Sequence, residues 1–154
     1  MTDERHLHAV RDEDETVADT LRLELRPMRD GDRNFVLSSW LRSYAEANEF
    51  RGMKRSSYFA LYAPVVEVLL GRSTVMVATM PEASDVVLGW LAAEGELLHY
   101  VLTKPRWRKL GIARFMLADM KDLAVKYTHQ APRMAPIPAA WTYDSDARFR
   151  KAAA

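Results

Sequence analysis

Between residues 21 and 26, Leu21, Leu23 and Leu25 alternate with Arg22, Glu24 and Arg26. That is the period of a half-buried strand. Asp30, Gly31 and Asp32 supply a turn and a helix cap. From residue 33 to about 48, Phe35, Val36, Trp40, Leu41 and Tyr44 recur at helical spacing and predict an amphipathic helix. A second helix, capped by Ser56 or Ser57, carries Tyr58, Leu61, Tyr62, Val65, Val66, Leu69 and Leu70. Pro64 is expected to kink or divide it, and Gly71 to end it. Three strands are predicted next, over 74–79, 86–93 and 97–103, and their short connections favour an antiparallel meander. A long helix is predicted from Gly111 to about Tyr127, with Ile112, Phe115, Met116, Met120 and Leu123 on one face. Pro132, Pro136 and Pro138 mark a loop-rich stretch. A last strand over 139–143 and a short helix capped by Asp144 or Ser145 and holding Phe149 complete the pattern. The order predicts a mixed α+β or α/β layer around one sheet.

Composition narrows the chemistry. The chain has 154 residues, 49% of them hydrophobic, enough for one domain with a core over 20–154. It has no cysteine, which excludes disulfides, thiol nucleophiles and thiolate metal sites, and makes a reducing cytoplasm the expected compartment. No apolar run is long enough to span a bilayer, so no membrane partner is expected. His6 and His8 have no companion ligands at metal-site spacing, so no metal is expected. Residues 1–19 lack periodicity, hold seven acids against two bases, and read as a mobile acidic tail. The remainder holds 20 bases against 14 acids, which suits an anionic ligand.

The segment richest in chemistry is 101–114, VLTKPRWRKLGIAR. A strand runs into a loop with Lys104, Arg106, Arg108, Lys109 and Arg114 but no acid, and the loop opens a helix at Gly111. Free backbone N–H groups beside these cations would bind a phosphate or pyrophosphate. Gly111 and Ala113 would let the anion come close. A capped helix behind a solvated basic loop is the plainer alternative.

The run Arg108-Lys109-Leu110-Gly111-Ile112-Ala113 resembles the Arg/Gln-x-x-Gly-x-Gly/Ala motif of the GCN5-related N-acetyltransferases, the GNAT superfamily. The preceding strand with Pro105 and Trp107 is similar to that family's central segment, and the likeness covers roughly residues 20–127. The resemblance implies a GNAT-like fold with a shortened C-terminal part, and acetyl-CoA or another acyl-CoA as cofactor. Amides of Lys109, Leu110, Gly111, Ile112 and Ala113 would cradle the pyrophosphate, aided by Arg108 and Arg114. Backbone at Leu102 and Thr103 would pair with the pantetheine arm. The implied activity is N-acyl transfer to a primary amine on a small molecule, a peptide or a nucleic acid.

Such transfer needs a proton acceptor for the amine and, in many relatives, a tyrosine that protonates the leaving thiolate. Glu94, beside the hairpin with Glu96, and His99 in the cofactor strand are candidate bases. Tyr143 is the candidate acid and Tyr127 a poorer one. Each has a bland counterpart: a solvated hairpin carboxylate, a hydrogen-bonded sheet histidine, a surface phenol. Trp40, Tyr44, Tyr58 and Tyr62 are expected mainly to pack the core. Arg51, Lys54 and Arg55 form a basic cluster between the first two helices. Only 27 residues follow Tyr127, too few for the family's usual ending, so a shorter sheet or a homodimer that completes it is expected. Compact GNAT-like proteins of this kind occur among bacterial-virus genes. A GNAT-fold binding or regulatory protein without catalysis, associated with nucleic acid, is the alternative function.

Overall fold

The computed structural model describes residues 21–46, 50–129 and 137–149. The predicted acidic tail and most of the proline-rich stretch lie outside the described residues. One six-stranded sheet, in the order β1-β2-β3-β4-β5-β6, organises the chain. Its strands are β1 (Glu24–Pro27), β2 (Thr74–Thr79), β3 (Gly89–Glu94), β4 (Leu97–Thr103), β5 (Lys126–Tyr127) and β6 (Thr142–Tyr143). The first four pair antiparallel, whereas β4–β5 and β5–β6 pair parallel. This is the predicted mixed α/β layer, meander included. β1 is an edge strand, the place where Pro27 costs no ladder bond.

Helices α1 (Arg33–Tyr44) and α2 (Arg55–Arg72) cover one face of the sheet. Their apolar stripes meet Val75, Val77, Trp90 and Ala92 in a core where Val36, Trp40, Tyr44 and Val66 are fully buried. Trp90 buries its indole because its Nε1 donates to Ser39 Oγ at 2.9 Å. The aromatic side chains of the first two helices are therefore packing residues, as predicted. A smaller cluster on the other face joins Ala78, Leu88 and Leu91 to Ile112 and Met116.

Arg26 fastens β1 to the turns on either side. Its guanidinium donates to Asp32 Oδ2 at 2.6 Å and to the Ser84 carbonyl at 2.8 Å, with both ionic side chains almost wholly buried. Hydrogen bonding from Arg26, helped by the Arg29 amide, holds the Asp32 carboxyl below the usual carboxylate range against the opposing effect of burial.

Several expectations about helix ends need correction: Lys54, not Ser56 or Ser57, precedes the second helix, and Gly71 lies inside it. Pro64 does not divide the second helix, which runs unbroken from Arg55–Arg72. Ala60 and Pro64 are both exposed, so water can take the carbonyl that the missing proline N–H leaves open. The helix predicted from Gly111 to about Tyr127 is only α3 (Ile112–Met116), followed by a 3-10 turn (Ala118–Met120) and then β5. Leu117 leaves the helical region at φ −93°, ψ 2°. From there Leu117 and Met120 pack on Leu98, Val125 and Tyr127. Leu123, placed on the helix face by periodicity, is exposed.

Candidate functional site

Two features meet where β4 ends: an irregular basic loop and a fork in the sheet. The loop begins as Lys104 closes the sheet, its N–H bonding the Leu88 carbonyl at 2.9 Å. A 3-10 turn (Pro105–Trp107) follows. The backbone then enters the left-handed region twice, at Lys109 (φ 67°) and Gly111 (φ 81°), before α3 starts. The side chain of Ile112 is buried and anchors the turn from below. The first helical bond is Phe115 N–H to Gly111 C=O, at 2.9 Å. Among the described residues no backbone carbonyl accepts from the amides of Lys109, Gly111, Ile112 or Ala113, because a helix start leaves its first donors open, while Leu110 closes the turn over Arg108 and Lys109. A Cβ built on Gly111 would meet nothing within 4 Å.

The side chains of Arg106, Arg108, Lys109 and Arg114 are exposed around these amides. Arg108 Nε also donates to the Thr103 carbonyl at 3.3 Å, tying the loop to the end of β4. Lys104 is drawn elsewhere, its Nζ 4.6 Å from the centre of the Phe35 ring. A five-residue helix has little macrodipole, so capacity for an anion rests on the open amides and these cations.

The fork lies between β4 and β5. They pair at Leu97↔Lys126 and Leu98↔Tyr127, with bonds from Lys126 N–H to the Glu96 carbonyl at 2.9 Å and from Thr128 N–H to the Leu98 carbonyl at 3.1 Å. Beyond that point β4 continues to Thr103 without β5. The Lys104–Leu88 bond fixes the alternation of the ladder. Leu102 and Tyr100 bond toward β3, so the backbone groups of Val101 and Thr103 face the open side. Sequence reasoning chose Leu102 and Thr103. Of these two, Thr103 has its backbone groups on the open side, whereas those of Leu102 bond toward β3.

At the root of the fork the β3–β4 register slips. Ala92 opposes Tyr100 and Ala93 opposes Leu98, which makes His99 the extra residue of a bulge. The bulge re-aims its side chain. His99 shares the α1 side with Tyr100, its ring 6.5 Å from that of Trp40. There its Nε2 lies 2.7 Å from Glu94 Oε1 and its Nδ1 3.2 Å from Thr128 Oγ1. Glu94 Oε2 accepts from Arg72 at 3.2 Å. Burial pushes the His99 imidazole below its usual range, with the Glu94 hydrogen bond opposing. His129, stacked 4.0 Å from the Tyr44 ring, is lowered to about 4 by burial and by the nearby Arg148 charge.

The structure thus brings Glu94 and His99 into one chain of contacts and gathers residues 108–114 into one loop. Tyr143 stands apart on β6, two strands from β4, 43% exposed and with its ring 5.5 Å from that of Tyr127. Arg51, Lys54 and Arg55 are exposed, and the Arg55 guanidinium lies over the Phe59 ring. Sequence reasoning missed Arg72 and Thr128. Neither belongs to a motif, and only the bulge and the parallel pairing of β5 bring them to His99. Among the described residues no helix is long and apolar enough to cross a membrane.

No family model matches the chain, and no curated protein does. Solved structures do. The apo-form YjaB from Escherichia coli shares 18% identity over 63% of this chain and 63% of its own, with a TM-score of 0.48. A GCN5-related N-acetyltransferase from Rhodopseudomonas palustris shares 13% over 67% of this chain and 66% of its own, TM-score 0.48. A possible acetyltransferase from Clostridium difficile 630 shares 13% over 73% of this chain and 83% of its own, TM-score 0.49. The chain spans less than two thirds of the length of the first two.

Proposed function

We propose that the protein is an acyl-CoA-dependent N-acyltransferase, with acetyl-CoA as the acyl donor and a primary amine as acceptor. The observation that carries this reading is the conjunction at the end of β4. Amides of Lys109, Gly111, Ile112 and Ala113, without a backbone acceptor among the described residues, sit beside exposed cations, next to a strand edge that β5 has left open.

The residues present fit such a cofactor. These amides would hold the pyrophosphate oxygens, with Lys109 and Arg114 adding charge and Arg108 bracing the loop through Thr103. The open backbone of Val101 and the Thr103 N–H, whose carbonyl already accepts from Arg108, would bond the pantetheine arm as an added strand does. When bound, the cofactor supplies an activated thioester carbonyl. The chain's own contribution is to place that group at the fork, offer N–H donors to the developing oxyanion, and provide a proton acceptor for the amine.

Thermal unfolding with and without acetyl-CoA tests the reading. A ligand that binds only the folded state at about 100 times its Kd adds about 2.7 kcal/mol, a rise of several degrees for a chain of this size. Lys109→Glu with Arg114→Glu is expected to abolish that rise without changing the unliganded midpoint by more than a degree or two. Free-thiol release is then followed with n-butylamine, a lysine-ended peptide and an oligonucleotide as acceptors. No stabilisation by acetyl-CoA, with salt-sensitive oligonucleotide binding instead, would replace this reading with that of a binding protein.

A further inference from the structure

The side chains of Arg72, Glu94, His99 and Thr128 come from four separate places: the end of α2, the end of β3, the bulge of β4 and the residue at which β5 departs. They form one line of hydrogen bonds across the root of the fork, Arg72–Glu94 at 3.2 Å, Glu94–His99 at 2.7 Å and His99–Thr128 at 3.2 Å. We propose that Glu94, His99 and Thr128 are a proton relay between the β4–β5 fork and the surface at Arg72. This rests on the acyl-transfer reading and names the route by which the amine's proton leaves.

The geometry fixes the resting protonation. Glu94 is acceptor-only as a carboxylate, so His99 Nε2 must carry the hydrogen at the 2.7 Å contact. Nδ1 is then a lone pair and accepts from the Thr128 hydroxyl. The His99 side chain has no exposure, that of Glu94 has 9% and that of Arg72 has 26%. The line therefore runs from the dry root of the fork to water. Burial favours the neutral imidazole this arrangement needs.

The transfer balances without a redox partner. Thr128 Oγ1 accepts a proton from the ammonium formed when the amine attacks, and releases its own proton to His99 Nδ1. The Nε2 proton moves to Glu94 Oε1 and water later removes it, after which the ring gives up its Nδ1 proton and regains one on Nε2 by exchange through Thr128 and Glu94, restoring the resting tautomer. No net charge is left on the ring. Charged and titratable groups facing His99 are Glu94 from β3, Arg72 from α2 and Arg148 from the 3-10 turn (Ser145–Phe149). The Tyr44 phenol from α1 approaches the His99 carbonyl. Tyr44 is raised by burial, with hydrogen bonding from Trp40 and Thr128 opposing. His129 stacks on Tyr44.

The test uses the full chain and Thr128→Val, Thr128→Ser, His99→Gln and Glu94→Gln. Nitrogen NMR of the imidazoles in the free protein is expected to show His99 protonated on Nε2 and bare on Nδ1, with the Nδ1 signal shifting in Thr128→Val. A proton on Nδ1 in the wild type overturns the relay. With acetyl-CoA and n-butylamine, Thr128→Val and His99→Gln are expected to lower kcat by 10-fold or more while KM for acetyl-CoA and its thermal stabilisation persist. Thr128→Ser is expected to restore kcat, and Glu94→Gln to lower kcat as His99→Gln does. Wild-type kcat and pH profile in Thr128→Val, which keeps the shape of threonine, would overturn the relay alone. Wild-type protein that neither binds nor turns over acetyl-CoA would overturn the acyl-transfer reading and the relay with it.

Discussion

Gly89 opens β3 opposite Thr103, directly against the strand that forms the fork. A Cβ at this position would lie 2.6 Å from the Leu102 carbonyl oxygen, 3.0 Å from Met116 Cε and 3.3 Å from Thr103 Cα. The thioether end of Met116 can swing away. The Leu102 carbonyl cannot, because the β3–β4 ladder holds it. Gly89→Ala therefore pushes the two strands apart by several tenths of an ångström, an overpacking strain of about 1–3 kcal/mol. Against it stands a gain of roughly 0.5–1 kcal/mol from the alanine's smaller loss of chain entropy. At the middle of these ranges the strain wins, leaving a net loss of about 1 kcal/mol.

Gly71 is the control. It lies in the last turn of α2, exposed, and a Cβ there meets nothing within 4 Å. Gly71→Ala keeps the entropy gain and the better helix propensity without the clash, and is expected to stabilise by roughly 0.5–1 kcal/mol. Urea unfolding of the two variants reads opposite signs, with the midpoint falling for Gly89→Ala and rising for Gly71→Ala at unchanged m. Equal or greater stability of Gly89→Ala would refute the reasoning, because the close approach of β3 to the Leu102 carbonyl would then be absent.

Acid should weaken the fold in two separate windows. His129 titrates at about 4 in the folded chain against about 6.5 unfolded, so the unfolded state takes up its proton first as pH falls. Its contribution of roughly 3 kcal/mol is complete above pH 6.5 and fades toward pH 4. His99 acts in the same direction. Urea midpoints measured between pH 7 and pH 4.5 should fall steeply in the wild type and less in His129→Phe. Asp32, held below its usual range, contributes above about pH 4 and loses that contribution as pH drops further. Asp32→Asn leaves the buried Arg26 guanidinium without its counter-charge and is expected to cost about 3 kcal/mol at pH 7, read as a lower urea midpoint.

Much of the fold was legible because period and punctuation agreed. TVMVAT and LLHYVLT became strands with the predicted bounds, and the turn at Gly95, which sits at φ 55°, set their hairpin partner β3. The long helix after Gly111 was misread because Met116, Met120 and Leu123 keep helical spacing. The chain breaks at Leu117 to serve a third apolar cluster around Leu98 and Val125, a tertiary demand that local pattern does not encode. The candidate site divides in the same way. The cations and Gly111 of the loop are contiguous and could be found in sequence. Register, by contrast, decides that Val101 rather than Leu102 faces the fork, and that a bulge turns His99 toward Thr128. Arg72, Glu94, His99 and Thr128 span 57 positions and meet only through the sheet order.

The most direct measurement is a titration of the nitrogen-labelled protein with coenzyme A, followed at the backbone amides. Lys109, Leu110, Gly111, Ile112 and Ala113 should shift first and saturably, together with Val101 and Thr103 along the open edge of β4, while β1 and the outer face of α2 stay still. Saturable binding that moves other surfaces and leaves those amides in place would contradict the account, as would a folded protein whose spectrum does not respond at all.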